Sequence, residues 1–218
     1  ITVEDPVEYQ LDGISQVQVF DDIGLTFGST LRSILRQDPD VLLIGEIRDG
    51  ETADIAVKFS LTGHLVFSTV HANDAPGTLT RLLDIGIAPF LVGSCLNLVM
   101  AQRLVRKLCE KCKEEYAPTA EELVLIGLKK KDVKGKLFKG KGCADCRNTG
   151  YRGRTAIFEM IPMARELRKL VFDNANEDEF RQAAIKNGMV TLRDAGNERV
   201  LDGTTSIEEV LRSTVEDL

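Results

Sequence analysis

The order of apolar and polar positions changes character along the 218 residues. Over residues 1–104, short apolar runs alternate with stretches of helical periodicity. The runs predict strands at 1–4, 17–20, 40–45 and 65–70, and helices are expected at 29–37, 50–61, about 76–84 and 90–108. In TLRSILRQDPD, Leu31, Ile34 and Leu35 share one helix face and Arg32 and Arg36 another, and Pro39 ends the helix. Strands alternating with helices predict a largely parallel sheet, covered on both faces. The run Val41–Ile44 fits a strand buried on both sides, yet it leads directly into Glu46, Arg48 and Asp49.

The pattern changes over residues 109–153, which hold two CxxC pairs, a lysine-rich stretch and a short helix expected around 119–127. Residues 154–161 (RTAIFEMI) predict a strand, and the remainder is helical. Asn176 with Glu179, and Ser206 with Glu209, have capping-box spacing; Gly188 suits a helix C′ position and Gly203 ends the segment before Ser206.

Composition narrows the function classes. A hydrophobic content of 43% and a charged content of 28% describe an ordinary globular protein. A net charge of −6, with no Trp and only three Tyr, argues against nucleic acid as a partner. The opening ITVEDPVEYQ has neither an initiator Met nor the basic and apolar regions of a secretory signal. It predicts a chain that starts inside a larger domain. The longest uncharged run, Ile85–Gln102, contains Gly, Pro, Asn and Gln, falls short of about 20 apolar residues, and predicts a buried helix from Pro89 instead of a membrane span.

Cys109 with Cys112 and Cys143 with Cys146 form the most specific chemical signal. Each spacing lets a tight turn aim two thiolates at one ion, and two such turns complete a closed tetrahedral Zn²⁺ site. Unliganded thiols or a redox dithiol are the alternatives. Cys95, on an apolar helix face, reads as core.

Three elements could bring polar groups to the carboxyl edge of a parallel sheet, where such sheets bind ligands. VEDPVEY supplies Glu4, Asp5 and Glu8; IGEIRD supplies Glu46 and Arg48; TGHLVFSTVHAND places His64 and His71 on either side of one strand. Each alone also fits a solvated turn or a core histidine. Carboxylates and a histidine meeting Arg32, Arg36 and Arg48 would suit a nucleotide–Mg²⁺ site.

These segments resemble a known family. ITVEDPVEY resembles the Asp box, LRQDPDVLLIGEIRD the Walker B region and TGHLVFSTVHAND the His box of the secretion ATPase superfamily. AQRLVRKLC, the CxxC pairs, GYRGRTAIFE and TSIEEVLR resemble the part specific to type II secretion and type IV pilus assembly ATPases, in one collinear order across the chain. The resemblance implies a RecA-like P-loop NTPase core over 1–104, a tetracysteine zinc subdomain over 105–153, and a returning strand with C-terminal helices over 154–218. Glu46 matches the Walker B glutamate that accompanies Mg²⁺ and activates water, with Gly45 at the family's preceding glycine. Glu4 matches the Asp-box glutamate, supported by Asp5 and Glu8. His71 matches the residue that senses the γ-phosphate of ATP, with His64 secondary. Arg32 and Arg36 match arginines that reach phosphate or a neighbouring subunit. The implied protein is a cytoplasmic, homo-hexameric motor peripheral to the inner membrane, acting on an inner-membrane platform protein.

One feature departs from the pattern. No GxxxxGK[ST] occurs in the 218 residues, so these residues alone are expected not to hydrolyse ATP, their core being incomplete at its N-terminal side. This departure also supports an alternative, a zinc-containing interaction module with a degenerate nucleotide-binding core. Residues 129–141 carry seven Lys against one Asp, which fits a solvated loop or a patch for anionic lipid.

Overall fold

The computed structural model describes residues 1–133 and 135–214. The chain divides into two compact units, Ile1–Val99 with Pro162–Ala184, and Met100–Ile161 with Ile185–Leu218.

The first unit is built on four parallel strands in the order β2-β1-β3-β4: β1 (Thr2–Glu4), β2 (Gln16–Gln18), β3 (Val41–Ile44) and β4 (Leu65–Ser68). Helices α1 (Phe27–Ile34), α2 (Gly50–Leu61), α3 (Ala75–Asp84), α4 (Pro89–Cys95), α6 (Arg165–Phe172) and α7 (Glu177–Lys186) complete it, α5 (Ala120–Leu125) belonging to the second unit. Their starts follow local chemistry. Thr26 accepts the Ser29 N–H ahead of α1, Asp49 accepts that of Thr52 ahead of α2, and Asp74 accepts that of Gly77 ahead of α3. Asn176 and Glu179 form both halves of the expected capping box on α7.

One expectation about this sheet is overturned. Leu42 and Ile44 are fully buried, but Val41 is 43% and Leu43 37% exposed. Register places Val41 beside Leu65 and Leu43 beside Phe67, and both partners are exposed as well. Val3, Leu42 and Ile44 are fully buried, with α1 against β1 and α2 against β4; an unbroken apolar run does not by itself say what covers each side.

A second correction concerns residues 90–108. The helix stops after Cys95, and Leu98–Leu108 form β5, paired with β8 (Tyr151–Pro162). In LVMAQRLVRKL, Val99 and Val105 are buried while Leu98, Met100 and Leu104 are exposed, the two-residue alternation of a strand. The same letters place Leu98, Ala101 and Val105 on one helical stripe, so the sequence pattern alone fits both states.

The second unit holds this ribbon, the antiparallel hairpin of β6 (Lys113–Tyr116) and β7 (Leu137–Gly140), and helices α5 (Ala120–Leu125), α8 (Leu192–Leu201) and α9 (Ile207–Ser213). Its main core joins Leu123, Ile126, Leu137, Val200, Ile207 and Val210. Ser206 caps α9 through the Glu209 N–H, as its spacing predicts, but the Glu209 carboxylate does not return to close the box. It is fully buried and accepts from the Arg106 backbone N–H at 2.9 Å, Arg106 Nε at 2.8 Å and Arg212 Nε at 2.9 Å.

Candidate functional site

The three parallel strands β1, β3 and β4 end side by side, and each delivers polar groups there. Glu4 is the last residue of β1. Its Oε1 accepts from Thr2 Oγ1 at 2.6 Å and from Gln16 Nε2 at 2.9 Å. These bonds, with a contribution from the Glu8 backbone N–H, hold its carboxyl below the usual range. Glu8 therefore contributes through its main chain.

Gly45 and Glu46 follow β3. The Gly45 N–H donates to Val3 O at 2.7 Å, and a Cβ there would lie 3.1 Å from Val3 O and 3.3 Å from Glu4 Cα. The glycine thus lets the Glu4 and Glu46 backbones run in close register. The Glu46 side chain is 14% exposed; Arg48 donates to Oε1, and His71 Nε2 lies 3.1 Å from Oε2. Arg48 is the main reason the Glu46 carboxyl is held below the ordinary range, with His71 adding to the effect. Arg48 also reaches Asp5 Oδ2 at 3.4 Å.

His71 arrives on the loop after β4. Thr69 anchors that loop, with Oγ1 donating to Gly45 O at 2.6 Å and its carbonyl accepting the Ile47 N–H at 2.9 Å. Further along, Asp74 Oδ2 accepts from Arg181 at 2.8 Å. Thr69 and Arg181 escaped the sequence reading. A threonine ending an apolar run and an arginine 107 residues from its partner leave no local signature.

Other expected residues are not brought to this cluster. His64 precedes β4 and lies at the opposite, amino-terminal edge of the sheet. Its ring stacks on Phe59 at 4.0 Å, Nδ1 meets Thr62 Oγ1 at 3.0 Å, and Nε2 faces Asp38 at 3.4 Å. Six residues lie between the two histidines, and a parallel strand with one at each end keeps them apart. Arg32 pairs with Glu51 and Arg36 Nη2 donates to Ser33 Oγ at 3.3 Å, all on exposed helix surface. Asp49 caps α2.

The four cysteines do converge. Their sulfur atoms all lie within 4.8 Å of one another, with Cys109–Cys143 at 3.9 Å, Cys112–Cys146 at 3.8 Å and Cys143–Cys146 at 3.7 Å. Tetrahedral Zn–S bonds of about 2.3 Å require S···S separations of about 3.8 Å, so the set fits zinc. Burial raises the Cys146 thiol, but the Cys143 and Gly150 N–H groups on its sulfur bring it down to about 6. Gly150 takes a φ of 78°, and a Cβ on Gly140 would lie 2.3 Å from Gly150 O, so the two chain segments meet only as glycines.

A family model described as "Type II/IV secretion system protein" matches residues 1–212. The chain belongs to that family. This secretion-family chain is 51% identical over 218 residues to the type IV pilus assembly ATPase PilB of Myxococcus xanthus, covering 99% of the chain and 38% of the relative. It is 49% identical over 217 residues to the type II secretion system protein E of Pseudomonas aeruginosa, covering 43% of it, and 50% identical over 216 residues to the type II secretion system ATPase E of Vibrio cholerae, covering 42%. It thus spans about two fifths of these relatives' length. Among solved structures, the pilus retraction motor PilT with bound ADP superposes with a TM-score of 0.68 at 23% identity, over 99% of this chain and 52% of that one. The ATPase DotB of Legionella pneumophila follows at 0.64 and 22%, over 96% and 49%. The secretion-family chain therefore shares the α/β fold of these ATPases.

Proposed function

We propose that the full-length protein hydrolyses ATP, as a cytoplasmic, homo-hexameric motor at the inner membrane that drives pilus assembly or type II secretion through a platform protein. The observation that carries this reading is the meeting of Glu46, Arg48, His71 and Asp5 where β1, β3 and β4 end. Glu46 is ionised, and Arg48 and His71 each hold one of its oxygens. It is the group suited to orient water and take its proton as the γ-phosphorus is attacked. His71, 86% exposed, is free to meet the γ-phosphate. Glu46 and Glu4 supply the hard oxygen donors that suit Mg²⁺, which when bound supplies charge neutralisation on the phosphates. Arg32, exposed on α1, and Arg36, exposed in the turn that follows it, are the arginines offered to a neighbouring subunit.

The tetracysteine cluster is read as structural zinc that braces 105–153. An anionic-lipid contact would fall to Lys129, Lys130, Lys131 and Lys141, because Lys136 and Lys139 are paired with Glu115 and Glu114 across the hairpin; Lys134 lies outside the described residues. No helix among the described residues is long and apolar enough to cross a membrane.

The test uses the full-length gene product. Glu46→Gln should abolish ATP turnover while leaving nucleotide binding intact. Unimpaired hydrolysis refutes the role of Glu46. Absence of both binding and turnover in the unsubstituted protein favours the interaction-module reading.

A further inference from the structure

The loop that carries His71 is held at both ends. Thr69 ties its start to the end of β3 through Gly45 O and the Ile47 N–H. Asp74 ties its end, and does so twice. Oδ1 accepts the Gly77 N–H at 2.8 Å and caps α3, while Oδ2 accepts Arg181 Nη1 at 2.8 Å. Arg181 Nη2 also donates to Glu177 Oε1 at 2.7 Å, and Glu177 Oε2 accepts from Thr80 Oγ1 at 2.9 Å. The result is a closed polar clasp between α3 and α7, with the Asp74 and Arg181 side chains 18% and 22% exposed. Capping α3 uses only Oδ1, so the helix start does not need Arg181. What Arg181 adds is a fixed position for the Asp74 backbone, three residues after His71.

His71 has little else to fix it. Its side chain is 86% exposed, and its ring meets Glu46 Oε2 through Nε2 alone, at 3.1 Å. A ring in that setting takes its position from the loop ends. We propose that Arg181 is a positioning residue for His71, acting through Asp74; this rests on the reading of Glu46 and His71 as the hydrolytic pair. Misplacement of a reacting group by about 1 Å can cost up to about a hundredfold in rate, so loss of the clasp should lower kcat while substrate binding is spared.

The experiment measures kcat and KM for ATP in the full-length protein carrying His71→Ala, Arg181→Ala, both together, Asp74→Asn or Arg181→Lys, with a thermal melt for each. Asp74→Asn keeps an oxygen to cap α3 but removes the charge that Arg181 binds, so it tests the clasp in a protein that retains its helix start. Arg181→Ala and Asp74→Asn should each lower kcat about tenfold with KM changed less than about twofold. Arg181→Lys should recover part of the loss. The double variant should be no slower than His71→Ala alone, because Arg181 acts through that ring. Multiplying losses in the double variant, or full kcat in Asp74→Asn, overturns the proposal while leaving the hydrolytic pair intact. Full kcat in His71→Ala overturns both the pair and the proposal.

Discussion

His71 and Arg48 hold opposite oxygens of Glu46, Nε2 facing Oε2 at 3.1 Å and the guanidinium bound to Oε1. The arginine arrives two residues along the same strand end, the histidine 25 residues later on another. Arg48 is the larger influence on the carboxyl. Arg48→Ala should therefore return the Glu46 pKa upward toward the ordinary glutamate value, and His71→Ala should move it less. Side-chain ¹³C titration of the 218-residue chain measures both. An unchanged Glu46 titration in Arg48→Ala would sink the assignment.

Gly45 lies where a side chain would press on the strand beside it. A Cβ 3.1 Å from Val3 O and 3.3 Å from Glu4 Cα demands a shift of β1. Gly45→Ala should destabilise by about 1–3 kcal/mol, as overpacking does, and displace Glu4 relative to Glu46. Chemical denaturation measures the first effect and ATP turnover of the full-length protein the second.

Purified protein should contain one zinc per chain, bound by Cys109, Cys112, Cys143 and Cys146. Cys143→Ser should lower the metal content, and chelation should raise amide exchange in 109–116 and 137–150 above that of β1 and β3. Protein that is free of metal yet equally protected would show that these thiols need no ion.

Glu209 gives a pH-dependent prediction. Burial works against its ionisation, but Arg212 and Arg106 hold the carboxyl down at about 2. An unfolded glutamate titrates near 4.3, so the stabilisation is complete above about pH 4.5 and is lost as pH falls toward 2. Glu209→Gln should cost about 2 kcal/mol at pH 7, a moderate figure because Arg212 is 58% exposed, and progressively less below pH 4. Melting curves of both proteins between pH 2 and 7 test this. A constant difference across that range would contradict it.

Much of the first unit was legible because its elements are local. The strand–helix alternation, the capping box at Asn176, and the delivery of Glu4, Glu46 and His71 to one sheet edge all follow from short-range pattern and parallel topology. The convergence of the cysteines was legible from their spacing. What escaped depended on distant partners. Residues 98–108 satisfy two periodicities, and only pairing with β8 selects the strand. Glu209 had the spacing of a capping residue but met a stronger partner in Arg106, 103 residues away. His64 was grouped with His71 although the strand between them, itself legible in the sequence, puts one at each edge of the parallel sheet.

The interleaving of the two units bears on how the chain acquires its structure. The first unit is interrupted after Val99 and resumes at Pro162, and the second is interrupted in turn by Pro162–Ala184. Closing Asp74 onto Arg181 joins positions 107 residues apart. Such closures carry an entropic cost that grows with the logarithm of the intervening length, and they slow folding. During synthesis the sheet strands emerge before α7, so the Arg181 side of the clasp on the His71 loop closes only after the intervening residues have been made.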